Sequence, residues 1–430
     1  MRKKLSIVLI GVLLALILTS CYDAKEIDEQ AYIVTLGMDK GISNKWRLTL
    51  QFSTMSGDSG GDMTEGRSVS GKKSGRRTDF TTVSVDAPSF FEGVNMLETT
   101  IPRRINFEHL KFIVVSEEMA RSGILGDYLA PIRRNAQIRA SSHIIISRGS
   151  AEEFVNELEP YIGTRLSKTQ ELLFLAPSEP GFFPHVTLED LYDGFKSTYR
   201  QPIVALGAVN NFNNFKEEGK KWGTEYKPGG GYLAGQLPRK GEDKIELFGT
   251  AVFDGDKMVG ELKGDETRLM LMGRGEFIRG FFTIPDPKRP DLIVPLDVRQ
   301  KASERKVSVR IENGKPIIHL KLKLEGNILA IQSRINYESL ELKPVLEKAF
   351  EQFIKKDLDK LIVKTKELKA DILQFGQKAV WHFSTIQDWE KYNWIAQYEN
   401  AEVTTEVSFS IKNTGTMLNN SPILRTEGRK

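Results

Sequence analysis

The sequence predicts an α+β (mixed α/β) fold, and three observations lead to it. Up to about residue 200, apolar runs of strand length alternate with segments of helical period. Beyond that, the chain turns to strands separated by hairpin-type turns. The third observation is the longest helical period in the chain. Val345, Leu346, Ala349, Phe350, Phe353, Leu358, Leu361, Ile362, Leu368 and Ile372 recur at steps of three and four residues. That spacing predicts an amphipathic helix of about 28 residues, about 42 Å long, lying over a sheet in the carboxyl-terminal domain.

Three regions follow from the local patterns. In the first, 21–201, Ala31 to Asp39 reads as a strand. Arg47 to Ser53 alternates with period two, so the pair forms a hairpin through Gly41. Residues 56–78 are rich in Gly, Ser, Asp and Lys and are expected to be a mobile insertion. Phe80 to Val85 is a strand; Asp86 is expected to cap a helix with Pro88 in its first turn. His109 to Val115 and Ala140 to Ser147 are strands, with a helix at Ile124 to Arg134 interrupted at Pro131. Ser150 with Glu153 forms a capping-box pattern, and Thr187 with Asp190 a looser one opening a helix to Tyr199.

The middle region, 202–290, opens with the apolar run Ile203 to Val209. Asp254-Gly255 is a hairpin turn between two strands, and Glu266 to Met272 a short helix. The proline-rich stretch 285–290 marks the next boundary. In the last region, 291–430, Asn313-Gly314 joins two strands. The second of these places His319, Lys321 and Lys323 opposite Ile318, Leu320, Leu322 and Leu324. Ala401 to Ile411 closes the region as a strand.

The amino terminus predicts export. Arg2, Lys3 and Lys4 precede a sixteen-residue apolar run from Leu5 to Ser20, and no acidic residue occurs before Cys21. Residues 1–20 thus read as a secretory signal peptide. Sixteen helical residues span about 24 Å, short of the ~30 Å hydrocarbon core, which disfavours a stable transmembrane helix. Leu18-Thr19-Ser20-Cys21 has the lipobox form, in which small residues precede a cysteine that accepts diacylglycerol. The competing reading is an ordinary signal peptide followed by an unrelated cysteine. Cys21 is the one cysteine of 430 residues, and its place at the end of the apolar run favours lipidation. Two acyl chains are what stable anchoring takes. The expected site is therefore membrane lipid attachment through Cys21 on the outer face of the cell membrane.

Composition excludes several classes. A single cysteine excludes disulfides within the chain and cysteine-built metal sites. Removing Arg2, Lys3 and Lys4 leaves 58 basic side chains against 57 acidic ones, so no nucleic-acid partner is expected. The cluster Lys72, Lys73, Arg76 and Arg77 sits in the glycine-serine stretch, as a solvated loop or an acidic-headgroup contact.

Chemical motifs fare no better. Gly57-Asp58-Ser59-Gly60-Gly61 resembles the string around a serine nucleophile. The trypsin-like order needs a histidine before the serine, but the first here is His109, and no strand-turn-helix elbow surrounds Ser59. His109, His143, His185, His319 and His382 are dispersed. The stretch from Asp254 to Asp265 begins like a calcium loop but has Val259 where glycine is required. Gly229, Gly231 and Ala234 mimic a dinucleotide fingerprint outside a βαβ unit. No enzyme activity, cofactor or metal is expected.

Five blocks, in order, carry a resemblance. They are Cys21-Tyr22-Asp23-Ala24-Lys25-Glu26-Ile27; Leu36-Gly37-Met38-Asp39; and His109-Leu110-Lys111 with Ser116 to Ile124 and Arg133-Arg134. Then come Phe248 to Phe253 with Met258-Val259-Gly260 and Glu266, and Asp371-Ile372-Leu373-Gln374-Phe375-Gly376 with Trp381 and Trp394. On these blocks the chain resembles the Ger(x)C family, the lipoprotein C subunits of spore germinant receptors. Tyr22 departs from the tryptophan usual in the family's mature start. The resemblance covers nearly the whole mature chain. It implies a three-domain mixed α/β protein working beside integral-membrane A and B subunits at the spore inner membrane, where germinants such as amino acids or sugars are sensed. It implies no catalytic residues and transfers only Cys21 as a site. Gly249, Gly260 and Gly376 read as turn and core positions. Trp389, Tyr392 and Trp394 are candidates for a partner-facing surface, against the alternative that they pack inside the last domain. A solute-binding lipoprotein of an ABC-type transporter shares the anchor, but needs two lobes around a ligand cleft. A lipid-anchored hydrolase is disfavoured by the motifs.

Overall fold

The computed structural model describes residues 26–53, 80–160, 168, 171–173, 180–219 and 226–413. The signal segment 1–20, Cys21, Ser59, the insertion 56–78 and its basic cluster lie outside the described residues.

Among the described residues the strands form two mixed sheets. The first contains β1 (Gln30–Lys40), β2 (Trp46–Ser53), β3 (Phe80–Ala87), β4 (Arg104–Asn106), β5 (Phe112–Ser116), β6 (His143–Ser147), β7 (Ile203–Val209), β8 (Ile245–Asp254) and β9 (Lys257–Leu262). Its order is β3-β2-β1-β5-β6-β7-β8-β9, with β4 paired to β1. The central strands β1, β5, β6 and β7 run parallel, and antiparallel strands complete both sides. Helices α1 (Phe90–Glu98), α2 (Glu117–Ala120), α3 (Leu125–Arg134), α4 (Ala151–Glu157) and α5 (Leu188–Phe195) cover this sheet. Strand β5 explains its own composition. Phe112 and Val114 pack in one cluster with Phe154 and Val155 of α4, while Ile113 and Val115 join the larger core with α1, α3 and α5. A strand covered on both faces reads as an unbroken apolar run.

The second sheet contains β10 (Arg279–Pro285), β11 (Ile293–Arg299), β12 (Arg305–Glu312), β13 (Lys315–Ile328) and β14 (Glu402–Asn413). Its order is β10-β11-β13-β12, and β14 runs parallel to β13. Strand β13 buries Ile318, Leu320, Leu322 and Leu324 and exposes His319, Lys321 and Lys323, as its alternation predicts. The remaining helices are α6 (Gly264–Arg274), α7 (Lys343–Glu367), α8 (Gly376–Ala379), α9 (Ile386–Tyr392) and α10 (Trp394–Tyr398). Helix α7 lies along β14, with the Phe350 ring 4.4 Å from that of Phe409 and 5.8 Å from that of Phe282.

Several expectations are corrected. Helix α7 has 25 residues rather than 28, because the chain leaves it at Leu368 and Lys369 adopts a φ of 53°. Ile372 is buried outside the helix, Val345 is exposed, and Ile354 takes a core position instead. Ser89, not Asp86, caps α1. Asp86 instead pairs with Arg47 at 2.7 Å and accepts the Ile42 and Ser43 N–H groups, closing the β1–β2 turn. Helix α3 continues through Pro131, and α5 stops at Phe195. Separately from these corrections, hydrogen-bonded strand pairs span positions 201/202 and 290/291, β6 with β7 and β10 with β11.

Candidate functional site

The chain leaving α7 folds back on itself at residues 371–376, and this turn is the polar centre of the junction between the two sheets. Asp371 is wholly buried, amid Ala370, Ile372, Leu373 and Phe375, which are buried too. A buried carboxylate needs hydrogen-bond donors, and three converge on it. The Phe375 N–H donates at 3.0 Å, the Gly376 N–H at 2.7 Å and the Trp394 indole N–H at 3.0 Å. Burial pushes the Asp371 carboxyl up to about 6; these donors and the Arg305 charge oppose that rise.

Other elements hold the turn from outside. Gln201, just before β7, accepts the Asp371 N–H at 2.7 Å. Arg305, at the start of β12, donates to the carbonyls of Gly273 and Leu373. Arg274, at the end of α6, donates to the Ile372 carbonyl at 3.0 Å. The packing is close enough to require glycine. A Cβ on Gly376 would stand 2.2 Å from the Tyr199 carbonyl oxygen, and one on Gly273 2.6 Å from Leu373. Farther out, the Trp389 indole donates to Thr198 Oγ1 at 2.9 Å, and Lys364 of α7 pairs with Glu266 of α6 at 2.7 Å.

Earlier sequence blocks also resolve into joints. Asp39, ending β1, accepts the Ala151 and Glu152 N–H groups at 2.8 and 2.9 Å, so one carboxylate meets the start of α4. Burial raises the Asp39 carboxyl, and those N–H groups oppose the rise. Ser116 caps α2. Gly249 has a φ of 95°, and a Cβ there would lie 2.5 Å from the Leu262 carbonyl oxygen. Thr250 and Thr267 share a buried hydrogen bond, tying β8 to α6.

A cleft of about 260 Å³ opens beside the Asp371 joint, lined in part by His185, Asp190, Arg200, Gln201, Arg274 and Glu276. Burial lowers His185 and His143, and the neighbouring His143 charge lowers His185 further, so both imidazoles are held toward the neutral form. The cleft lining contains no hydroxyl, thiol or amine side chain to act as a nucleophile. Among the described residues, no group of three or more His, Cys, Asp or Glu is placed to hold a metal ion. No described helix is long and apolar enough to cross a membrane.

Of the expected site residues, Cys21 lies outside the described residues. Trp389 and Trp394 are buried and Tyr392 is half-buried against Phe383, so of the two readings open for them the structure shows packing inside the fold and not a partner-facing surface. Trp381 is instead 82 % exposed. Gln201, Arg274 and Arg305 were not singled out. The sequence marks this joint chiefly through Asp371, an acidic residue set inside an apolar run.

Comparison with known proteins matches two family models. One, "Spore germination protein N-terminal domain", matches residues 23–208, and "Spore germination B3/ GerAC like, C-terminal" matches residues 248–415. The chain belongs to the Ger(x)C family. Its Ger(x)C relatives in Bacillus subtilis (strain 168) include "Putative spore germination protein YfkR", 24% identical with 97% of this chain and 98% of the relative covered. "Spore germination protein KC" is 22% identical, covering 98% of each. "Spore germination protein B3" is 24% identical over 94% of this chain and 96% of its own. The fold is similar to that in "Crystal Structure of the GerBC protein", with a TM-score of 0.52, 18% identity, and 88% of this chain and 97% of that chain covered.

Proposed function

We propose that this chain is a non-enzymatic lipoprotein subunit of a germinant receptor, held to the outer face of the spore inner membrane through Cys21. It acts as a scaffold or coupling module beside integral-membrane A and B subunits in nutrient-triggered spore germination. The observation that carries this reading is the Asp371 joint. The carboxyl-half block Asp371 to Gly376 supplies hydrogen bonds that lock α6, β7, β12 and α10 together. Its chemistry is that of fixing one arrangement of two sheets. Membership of the family over almost the full chain supports the process, and the lipobox form of Leu18 to Cys21 supports the anchor.

The test is Cys21→Ala in a spore-forming host lacking redundant receptors. The expected result is loss of the chain from the membrane fraction and a germination defect toward one class of germinant. Normal membrane retention removes the anchor. Normal germination after deletion of the whole gene in that host removes the receptor role.

A further inference from the structure

Away from the Asp371 joint, helix α6 buries a second charged side chain whose hydrogen-bonding capacity is mostly unused. Arg268 is 3 % exposed. Its guanidinium carries five N–H donors. Among the described residues it makes one hydrogen bond, from Nη2 to the Phe281 carbonyl at 2.8 Å, and its buried Nε has no partner. The nearest carboxylate oxygen, on Asp265, stands 3.9 Å from Nη1, too far for a hydrogen bond. Aromatic rings supply the walls: Phe282 at 3.5 Å and Phe182 at 4.6 Å from the guanidinium carbon to ring centroid. Gly280 leaves the room this requires, since a Cβ there would fall 2.3 Å from Nη2.

Arg268 lines a cavity of about 140 Å³ between α6, α7, β10 and the loop at 226–230. That is below the range of drug-sized pockets, so the cavity suits a small molecule. Two carboxylates, Asp265 and Asp357, share the lining with Arg268 and Tyr226; one oxygen of Asp357 pairs with Lys360 at 2.7 Å, and the Tyr226 hydroxyl donates to the Thr283 carbonyl. Phe281, also on the lining, is 62 % exposed, so the cavity reaches the surface there. Burial raises the Asp265 carboxyl and brings Arg268 to about 10, leaving the guanidinium charged at neutral pH.

We infer that this cavity binds a small zwitterion, its carboxylate on the unspent donors of Arg268 and its ammonium toward Asp265 and Asp357. The charge pattern decides the class. A simple anion gains Arg268 but meets two carboxylates, and a simple cation gains the carboxylates but meets a buried guanidinium. A neutral molecule with both charges complements each end, and the phenylalanine walls accept its carbon skeleton. The site is independent of the receptor reading, because binding is measured on the purified chain alone.

The experiment is a calorimetric titration of the purified full-length chain with glycine, acetate and methylammonium as probes. Glycine is expected to bind saturably with a Kd on the order of 1 mM, and acetate and methylammonium at least about tenfold more weakly. Arg268→Lys, which loses the planar fork, is expected to weaken glycine at least about tenfold. If Arg268→Lys fails to fold, Asp357→Asn, at the rim, decides: a loss of about threefold or more is expected. The inference is overturned by absence of saturable glycine binding or by acetate or methylammonium binding as tightly as glycine. Unchanged glycine affinity in a folded Arg268→Lys overturns it too, as does unchanged affinity in Asp357→Asn where that variant decides.

Discussion

Replacing Asp371 by asparagine isolates the charge at the junction from its shape. In the folded chain burial holds the carboxyl up at about 6, against about 4 for an exposed aspartate. The folded state therefore keeps its proton more tightly than the unfolded state. Stability from this group is fully present below about pH 4, falls as pH rises toward 6, and levels off above it. The difference of about two pH units corresponds to about 3 kcal/mol. Asparagine lacks that titration. It also cannot reproduce the donor pattern: one oxygen can accept from Gly376 and Trp394, but the amide nitrogen then faces the Phe375 N–H. Leaving that buried donor unmatched costs about 1–3 kcal/mol. Asp371→Asn is thus expected to be less stable than the parent at pH 4 by about 1–3 kcal/mol, with the gap closing by about 2–3 kcal/mol by pH 7. Urea unfolding at pH 4, 5, 6 and 7 measures this. Other titrating carboxylates, such as Asp39 and Asp265, are shared by both chains and cancel in the comparison. Parallel stability curves for the two proteins would refute the reasoning.

Gly249→Ala should lower stability by about 2–4 kcal/mol, since the φ of 95° and the 2.5 Å approach to the Leu262 carbonyl act together; a melting temperature equal to the parent's contradicts this. Trp389→Ala removes a buried ring and the hydrogen bond to Thr198, and should cost about 3–5 kcal/mol in urea unfolding. Trp381→Ala, at an 82 % exposed position, should stay within about 0.5 kcal/mol of the parent. Equal losses for the two tryptophans would overturn this assignment of burial.

What was legible in the sequence was local. Asp254-Gly255 and Asn313-Gly314 identify hairpins because a tight turn demands particular backbone angles; Asn313 and Gly314 adopt φ values of 52° and 80°. Strand β13 declares its buried face because period two is a property of one strand. Pairing over distance is not encoded that way. Nothing local says that β14 lies parallel to β13, or that β7 continues the first sheet beside β6, so the regional division at 201/202 runs between paired strands. The joint shows the same limit: Gln201 meets Asp371 across 170 positions, and Trp389 meets Thr198 across 191. The place of Trp389 between Asp388 and Glu390 does not by itself say which way its ring points. A short helix separates those neighbours onto other faces, leaving the indole inward and its N–H bonded.

Directional bonds at this junction bear on how such a chain could act. An apolar seam between two sheets tolerates sliding, because burial is non-directional and many offsets remove similar area. The Asp371 joint does not. Displacing the turn would strand a buried carboxyl together with the Phe375, Gly376 and Trp394 donors, and each group left unpaired costs about 1–3 kcal/mol. The Arg305 and Arg274 contacts to carbonyls of the same turn add to that cost. Relative displacement of the two sheets therefore costs several such unpaired groups at once. Asp371→Ala, which removes every acceptor at once, is the variant that should loosen this joint. Hydrogen exchange of the Phe375 and Gly376 amides should then quicken by at least about tenfold, while the amides of β5, buried far from the turn in sequence, keep their protection. Uniform acceleration of both sets would mean that the joint holds the whole fold together rather than fixing the relation between its sheets.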